Sequence, residues 1–395
     1  MNMSDRNMNL PYGMAQSLFW LSYCIVNSFA VVFLQGRGYN NTVIGILLAT
    51  ANLLSYALSG FMSDLIDRVE KITVFTMLPI TLAGQVLGLG MLLFTPEKSP
   101  MVLFWFGLAM TSVLARNPLV IQLSVFLQYA GARVNYSICR AAGSLGYVLG
   151  STVTGWMVSR WTAEVLKFAG LFFVLVQALT DIWIGRKIGE AGKKPVEVTG
   201  EASPTGEFIR NNPRFILMVC GATLVFFGHN VVNNYLINVV KYWGGDETTM
   251  GFFGSLGATY EIPVMVFFVP ILRRLKLSVS GAMKISFAAF ALKNILTAFV
   301  TSVPVYCFVL ALQGFSYAVF IAGGVSYAKQ IIPAKDAAKG QAFIANVTLI
   351  GAALSGLLGG RLYDRFGVHA VLVVSAFVVT AGALIGFLNV QRTEN

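Results

Sequence analysis

Long apolar stretches are the feature that most constrains the fold of this chain. Twelve runs, each near the roughly 20 residues that a helix needs to cross a bilayer, alternate with mostly short polar connections. Soluble proteins carry about 25% charged residues, whereas only 11% of these 395 residues are charged and 56% are hydrophobic. The chain has too little polar surface to face water, so we expect lipid to surround most of it, with helices that pair their own backbone groups.

The apolar runs predict an all-α membrane protein with twelve transmembrane helices. A polar connection at 187–213, rich in charges with Pro and Gly, is interpreted as a cytoplasmic linker between two six-helix bundles, 1–186 and 214–395. The predicted spans are 14–34, 43–63, 72–94, 101–127, 136–159, 167–186, 214–238, 249–271, 280–300, 304–327, 339–360 and 368–389.

A weak internal repeat indicates that the two bundles are pseudo-symmetric. At a spacing of 205 residues, Gly146 and Arg160 match Gly351 and Arg365. Two six-helix halves in the same orientation form the parallel repeat of the major facilitator fold, which binds its solute at the membrane midplane between the halves. Close helix packing alone would also favour glycine at such positions.

The distribution of Lys and Arg predicts that both termini are cytoplasmic. With the N-terminus inside, 17 of the 28 basic residues fall in inner loops and tails and 7 in outer loops. The polar start of the chain has no short apolar region before a cleavage site, so the first run is expected to remain as a helix in the cell membrane.

Composition also argues against several classes of function. The four cysteines lie within apolar runs and only two histidines exist, so we expect no disulfide framework, metal site or cofactor. The positive charges follow membrane topology, and no nucleic-acid partner is expected. The sequence offers no phosphate-binding loop or nucleophile–base pair, which leaves a membrane enzyme a remote alternative. The expected partners are a small solute, protons and lipid, and the protein is expected to function as a monomer.

Charged residues deep in a membrane are costly unless paired or hydrated, so they are candidate functional residues. Glu261 is the acidic residue deepest in any predicted span, whereas Asp181 lies near a span end. A carboxyl group there can be neutral when protonated or ionised beside a cation, as proton coupling requires. Lys293 is the candidate cation; a purely structural Glu261–Lys293 ion pair is the alternative.

Two arginines within predicted spans are candidate ligands for a solute. Arg140 and Arg116 offer guanidinium donors in a fixed fork that suits hydroxyls or carboxylates. We predict substrate binding for both, and the alternative for Arg116 is a tie between helices.

A polar face is predicted on the seventh span, where His229 is followed by Asn230, Asn233 and Asn234. This face either lines a watery cavity or bonds a neighbouring helix. The other polar candidates for substrate binding are Asn27, Gln122, Gln313 and Tyr23. Aromatic residues such as Trp20 would stack on a sugar, although packing is the more usual role of aromatic side chains in membranes.

One loop resembles the signature loop of the major facilitator superfamily. After the second span the chain has Gly60, then Asp64 four residues later, then Arg68. The resemblance implies a gating role for these three residues.

More closely, the chain resembles the lactose permease group and the related oligosaccharide, nucleoside and phenylpropionate proton symporters. The pattern from Asn135 to Tyr147 matches a fifth-helix pattern whose arginine binds galactoside, and 229–238 matches a seventh-helix pattern. The resemblance implies proton-coupled symport of a sugar-like solute by alternating access, with proton coupling at Glu261 and Lys293 and Arg140 as a substrate ligand.

The sequence departs from that group at three positions. Gln122, Gln313 and Ser316 stand where lactose permease has a glutamate, a histidine and a proton-binding glutamate. These departures argue against lactose as the solute and leave a net positive set of charges. Uptake of a small organic anion, such as a sugar acid or aromatic carboxylate, is therefore the alternative. An exporter is less favoured, and a sensor that binds without transport remains open.

Overall fold

Helices make up nearly all of the computed structural model, which describes residues 7–69, 71–129, 132–188 and 204–393. The chain divides into two compact units, unit 1 (Met1–Glu197 with Met250–Ser255) and unit 2 (Val198–Thr249 with Leu256–Asn395). The middle of the predicted linker 187–213, at 189–203, lies outside the described residues.

Unit 1 begins with a bent helical pair. A π-helical turn at Cys24–Ser28 follows the first helix, and the backbone leaves helical geometry at Phe29. The flanking helices are bent by 42°, so the predicted span 14–34 is not one straight helix. The helices are α1 (Asn9–Tyr23), α2 (Ala30–Gly36), α3 (Asn41–Arg68), α4 (Val74–Met91), α5 (Met101–Tyr129), α6 (Tyr136–Arg160) and α7 (Val165–Ile188).

Asn side chains define where two of these helices begin. Asn40 accepts a hydrogen bond from the backbone N–H of Val43 at 2.9 Å, and Asn135 accepts one from Ile138 at 3.2 Å. Each bond satisfies a first-turn N–H that has no partner within the helix.

Unit 2 is built around a cluster of aromatic and aliphatic side chains that includes Phe226, Phe287, Phe290 and Phe320. The backbone breaks at Tyr235, so the predicted span 214–238 becomes two helices. The helices are α8 (Thr205–Asn211), α9 (Pro213–Asn234), α10 (Leu236–Tyr242), α11 (Glu247–Leu275), α12 (Val279–Phe299), α13 (Val303–Leu310), α14 (Val319–Ile331), α15 (Ala337–Leu354) and α16 (Gly360–Asn389). Two further π-helical turns lie at Gly314–Ala318 and Ser355–Gly359.

Nine helical stretches in the described residues are long and apolar enough to cross a membrane, or ten if α1 and α2 form one span. One stretch, Lys339–Asn389, has 51 residues and is far longer than one straight crossing requires. Gly367, with φ of 73°, interrupts it. The helix α6 is not among these stretches, because its Gly, Ser and Thr residues lower its mean hydropathy. A multi-span helical membrane protein is thus confirmed, and twelve crossings stay a prediction.

The two glycines matched by the internal repeat serve the same purpose in their own units. A Cβ on Gly146 of α6 would overlap the backbone of Ser17 in α1. A Cβ on Gly351 of α15 would overlap the backbone of Phe226 and Phe227 in α9. In each unit the missing side chain lets two helix backbones touch.

Candidate functional site

A chain of three polar side chains, two of them buried and Glu261 half-buried, joins α11 and α12 through the segment before α14. Lys293 of α12 is 4% exposed and donates from Nζ to Oε1 of Gln313. Gln313 in turn donates from Nε2 to Oε1 of Glu261 in α11 at 2.8 Å. The structure therefore places the predicted acid and cation at the two ends of one amide, and we call this set the Glu261–Gln313–Lys293 chain.

The chemistry of the amide explains this order. An ammonium group can only donate hydrogen bonds and an ionised carboxylate can only accept them, whereas a glutamine side chain does both. With its oxygen towards Lys293 and its nitrogen towards Glu261, Gln313 satisfies both charges in one orientation. Hydrogen bonds to charged groups are about twice as strong as neutral ones, so this orientation is strongly favoured while both groups are ionised.

Local backbone geometry brings Gln313 within reach of α11. Gly314 follows it at the start of the π-helical turn, and a Cβ there would lie 2.8 Å from the carbonyl oxygen of Tyr260. The absent side chain lets the two backbones approach, next to the residue that Gln313 bonds. Single π-helical turns within α-helices occur frequently at functional sites.

The polar face of α9 lies beside the Glu261–Gln313–Lys293 chain in unit 2. His229 packs against the ring of Tyr317 at 5.6 Å between centroids, and the positive charge of Lys293 acts on it. Asn233, one turn further on, lies 2.7 Å from His229 Nε2. His229 and Asn233 therefore form a pair on one helix face, adjoining an aromatic wall.

The remaining amides of α9 divide between the two predicted roles. Asn234 donates to the hydroxyl of Ser355 at 2.8 Å, which ties α9 to the π-helical turn after α15. Asn230 is half-buried. The helix-bonding role thus fits Asn234, and the cavity role stays a prediction for Asn230.

In unit 1, Arg140 lies over an aromatic surface. Its guanidinium carbon is 4.3 Å from the centroid of the Trp20 ring, and its Nη1 donates to Ser144 at 3.0 Å. Tyr23 and Tyr147 extend the surface, with ring centroids 5.2 and 6.5 Å from Trp20. We call these five residues the Arg140 platform.

The members of the platform are only partly buried, so they keep faces on which a solute can stack. Asn27 is also half-buried and lies in the π-helical turn one turn beyond Tyr23. No carboxylate within the described ranges forms an ion pair with Arg140. The platform therefore offers aromatic rings tilted by 56° and 75° to Trp20, together with guanidinium donors that no acid among the described residues occupies.

Arg116 is placed differently, because it is fully buried inside unit 1. It donates to the Thr81 hydroxyl and carbonyl at 3.1 Å each and to Gln85 at 2.6 Å. Gln85 in turn donates from Nε2 to the hydroxyl of Ser22 in α1 at 2.7 Å. This geometry fits the alternative of a helix tie, here joining α1, α4 and α5, and we leave Arg116 out of the proposed site.

Gln122 and the signature loop also have local partners. Gln122 donates to Ser63 of α3 at 2.9 Å, and the structure does not join it to Arg140. Asp64 and Arg68 form an exposed ion pair at 2.7 Å on one face of α3. A Cβ on Gly60 would meet nothing within 4 Å, so this glycine is not required by packing in unit 1.

Two groups of polar residues were missed from the sequence. Thr81 and Gln85 bond Arg116, and Gln177 bonds Asp181 of α7 at 3.0 Å. Spacings of four residues on apolar helices were available as a signal in both cases. Asp181 is 6% exposed, and it is embedded in α7 although it lies near the end of the predicted span.

The sequence profile of the MFS_1 like family matches residues 18–374. No curated protein matches the chain.

Several solved transporter structures share the fold. A point mutant of the nucleoside transporter NupG has a TM-score of 0.77 at 15% identity, over 96% of this chain and 100% of that one. The peptide transporter POT, also a point mutant, gives 0.74 at 14% identity, over 96% and 93%. A POT family transporter in complex with 5-aminolevulinic acid gives 0.75 at 12% identity, over 99% of each chain.

Proposed function

The chain belongs to the MFS_1 like family, and on that premise we propose that it is a proton-coupled symporter of a sugar-like solute, an oligosaccharide or a nucleoside, that works by alternating access. Transport across a membrane follows from the family and from the fold shared with transporters. The observation that carries the finer proposal is the Glu261–Gln313–Lys293 chain.

A proton on Glu261 changes the charge balance of the Glu261–Gln313–Lys293 chain. Protonation removes the negative charge of the carboxyl group, which keeps a carbonyl oxygen able to accept from Gln313 Nε2, and this bond falls to about half of its charge-assisted strength. A half-turn of the amide would present its oxygen to Glu261, but its NH₂ group would then face the ammonium of Lys293, donor against donor. The amide therefore keeps its orientation, and Lys293 keeps the Gln313 oxygen but loses the negative charge that balanced it when Glu261 binds a proton.

A solute oxygen that accepts a further hydrogen bond from the Lys293 ammonium then compensates the positive charge that Glu261 no longer balances. Solute binding is accordingly favoured in the protonated state, and proton binding is favoured when solute is present, because the coupling between two ligands is reciprocal. In this mechanism Arg140 and Trp20 hold the solute by hydrogen bonding and stacking, and His229 with Asn233 adds polar contacts. Glu261 and Lys293 carry the coupling.

A small organic anion is the second candidate solute. Protonation of Glu261 leaves Lys293 as the uncompensated charge of its chain, and Arg140 has no acidic partner in the described part of the protein. Both features favour a carboxylate over a neutral hydroxyl. A thermal-shift screen with uridine, lactose, glucuronate and phenylpropionate separates the candidates, because a ligand that binds only the folded state raises the melting point.

Substitution of Glu261 tests the coupling. In proteoliposomes with an inward proton gradient, we expect Glu261→Gln to abolish accumulation of the solute found in the screen, while exchange of labelled for unlabelled solute continues. The mutant glutamine cannot exchange a proton, yet it still offers an acceptor to Gln313.

Glu247→Gln is the matched control on the same helix. Glu247 pairs with Lys241 at 2.9 Å in the first turn of α11 and has no place in the coupling chain, so its replacement is expected to leave accumulation intact. Full accumulation by Glu261→Gln would disprove the assignment of Glu261 as the proton carrier.

A further inference from the structure

A cleft of about 740 Å³ in unit 1 is walled by α4 and α7. Its surface is mainly apolar and includes Phe75 and Leu82 of α4, Phe126 of α5 and Ile182 of α7. The volume falls within the range of about 300–1,000 Å³ typical of ligand pockets. Apolar walls of this size call for an apolar occupant.

One end of the cleft carries a positive charge. Thr73, the N-cap of α4, and Arg186, in the last turn of α7, both line the cleft. This end of the cleft therefore lies where α4 begins and α7 ends. Arg186 is exposed, and no carboxylate of the described residues pairs with it.

Asp181 carries a second charge in the wall of the cleft, and Arg116 of α5 compensates it. Its Oδ1 accepts from Gln177 at 3.0 Å, while its Oδ2 is buried without a hydrogen-bond partner. The positive charge of the buried Arg116 acts on this carboxylate from α5. The two charges offset each other, so within the described residues Arg186 provides the charge of the cleft that no acidic partner balances.

We propose that this cleft binds an anionic phospholipid, with an acyl chain between α4 and α7 and the phosphate on Arg186. The membrane surrounds the protein with such amphiphiles, and basic pockets between transmembrane helices bind anionic head groups. A guanidinium pairs well with phosphate because its donors match two oxygens at once. A lipophilic cation fits less well, since Arg116 would repel it and Asp181 Oδ2 is shielded from the cleft.

Two substitutions test the proposal on the full-length protein in detergent. The test compares the melting temperature with added phosphatidylglycerol and the melting temperature with added phosphatidylcholine of the same acyl chains. The wild type is expected to gain several degrees more from phosphatidylglycerol. Arg186→Gln should lose this difference by removing the charge, and Ala83→Phe should lose it by filling the cleft that Ala83 lines.

Each variant has a control in which the same kind of substitution is made at a residue outside the cleft. Lys187→Gln removes the neighbouring charge, which lies over Trp183 at 4.6 Å and outside the lining of the cleft. Ala57→Phe adds the same ring at an exposed position of α3. Both controls are expected to keep the preference for phosphatidylglycerol, and melting temperatures without lipid show whether each variant folds.

Four outcomes would overturn the proposal. The first is equal stabilisation by the two lipids, and the second is equal loss of the preference in Arg186→Gln and Lys187→Gln, which indicates general surface charge. The third is stronger stabilisation by a cationic lipid of the same chain length, which would assign the cleft to a partner of Asp181. Inorganic phosphate alone is expected to have no effect. The fourth contrary outcome is full stabilisation by inorganic phosphate, which would show that the site does not require an acyl chain.

Discussion

At the scale of single residues, Gln313 shows how a neutral side chain can serve two opposite charges. A direct Glu261–Lys293 pair is the simpler arrangement and was the one considered from sequence. The amide between them keeps both charges hydrogen-bonded while holding them apart. Because a glutamine cannot ionise, its orientation is determined by the charges of the two groups that it bonds.

Replacement of Gln313 by leucine is expected to abolish proton-driven accumulation and to reduce stability. The change removes two hydrogen bonds to charged groups, each worth about 1.5–3 kcal/mol, and leaves both charges without the amide. Uptake in proteoliposomes and the melting temperature measure the two effects. Gln128→Leu, at an exposed position of α5, is the control, and similar losses in both variants would contradict the role of Gln313.

Outside the membrane spans, the buried Arg37 holds a carboxylate by two bonds. Glu164 accepts from Arg37 Nε at 2.7 Å and from Nη2 at 2.8 Å, and Lys167 adds an ion pair at 2.7 Å. The hydrogen bond from Arg37 and, to a smaller extent, that from Lys167 lower the pKa of Glu164. Arg37 follows α2 and Glu164 precedes α7, so the pair joins two helix ends of unit 1.

This pair is expected to make unit 1 less stable in acid. A carboxylate whose pKa falls on folding contributes fully above its ordinary pKa, near 4.3 for Glu, and the contribution is lost as the pH falls through the lowered value. The Glu164 side chain is 28% exposed, so solvent screening limits the effect to about 1 kcal/mol. Melting curves from pH 7 to acid should show this loss in the wild type and a flatter profile in Glu164→Gln.

At the scale of elements, helix crossings depend on single missing side chains. Gly351 lets α15 touch the backbone of α9, as Gly146 lets α6 touch α1. These contacts involve backbone atoms, which cannot rotate away as a flexible side chain can. The repeat in the sequence therefore records a packing requirement in each unit.

Gly351→Ala is expected to destabilise the protein by about 1–3 kcal/mol, the usual cost of forcing extra atoms into a packed interior. The melting temperature in detergent measures it. Gly90→Ala in α4 is the control, because a Cβ there would meet nothing within 4 Å and alanine favours helix by about 1 kcal/mol. An equal response of the two variants would show that the crossing tolerates a methyl group.

At the scale of the whole molecule, the twelve crossings predicted from sequence would place both termini on the same, cytoplasmic side of the membrane. Identical protease-sensitive tags on the two ends should then be cut together from the cytoplasmic side of sealed vesicles and be protected together from the other side. Opposite accessibility of the two tags would require an odd number of crossings.

Hydropathy predicted much of the fold because it is a local property. The spans near α3, α5 and α12 needed only the sum of their side chains to be identified. The breaks at Phe29 and at Gly367 depend on backbone geometry that apolar composition does not encode.

The site was predictable residue by residue but not as an arrangement. Glu261, Lys293 and Gln313 stood out as polar groups in apolar surroundings, whereas the order in which they bond depends on three segments packing together. Arg116 stood out for the same reason, yet its partners on α4 were visible only in the folded unit. Sequence reveals which groups need partners, and packing decides which partners they receive.

A neutral amide between the acid and the lysine also limits how far the protein could concentrate its solute. On the proposed mechanism, Gln313 cannot take up a proton and Glu261 takes up one, so each transport cycle moves a single proton through this chain. One proton per neutral solute allows about a tenfold accumulation for each pH unit across the membrane, since about 1.4 kcal/mol corresponds to a factor of ten. The ceiling on accumulation would thus be set by one uncharged side chain.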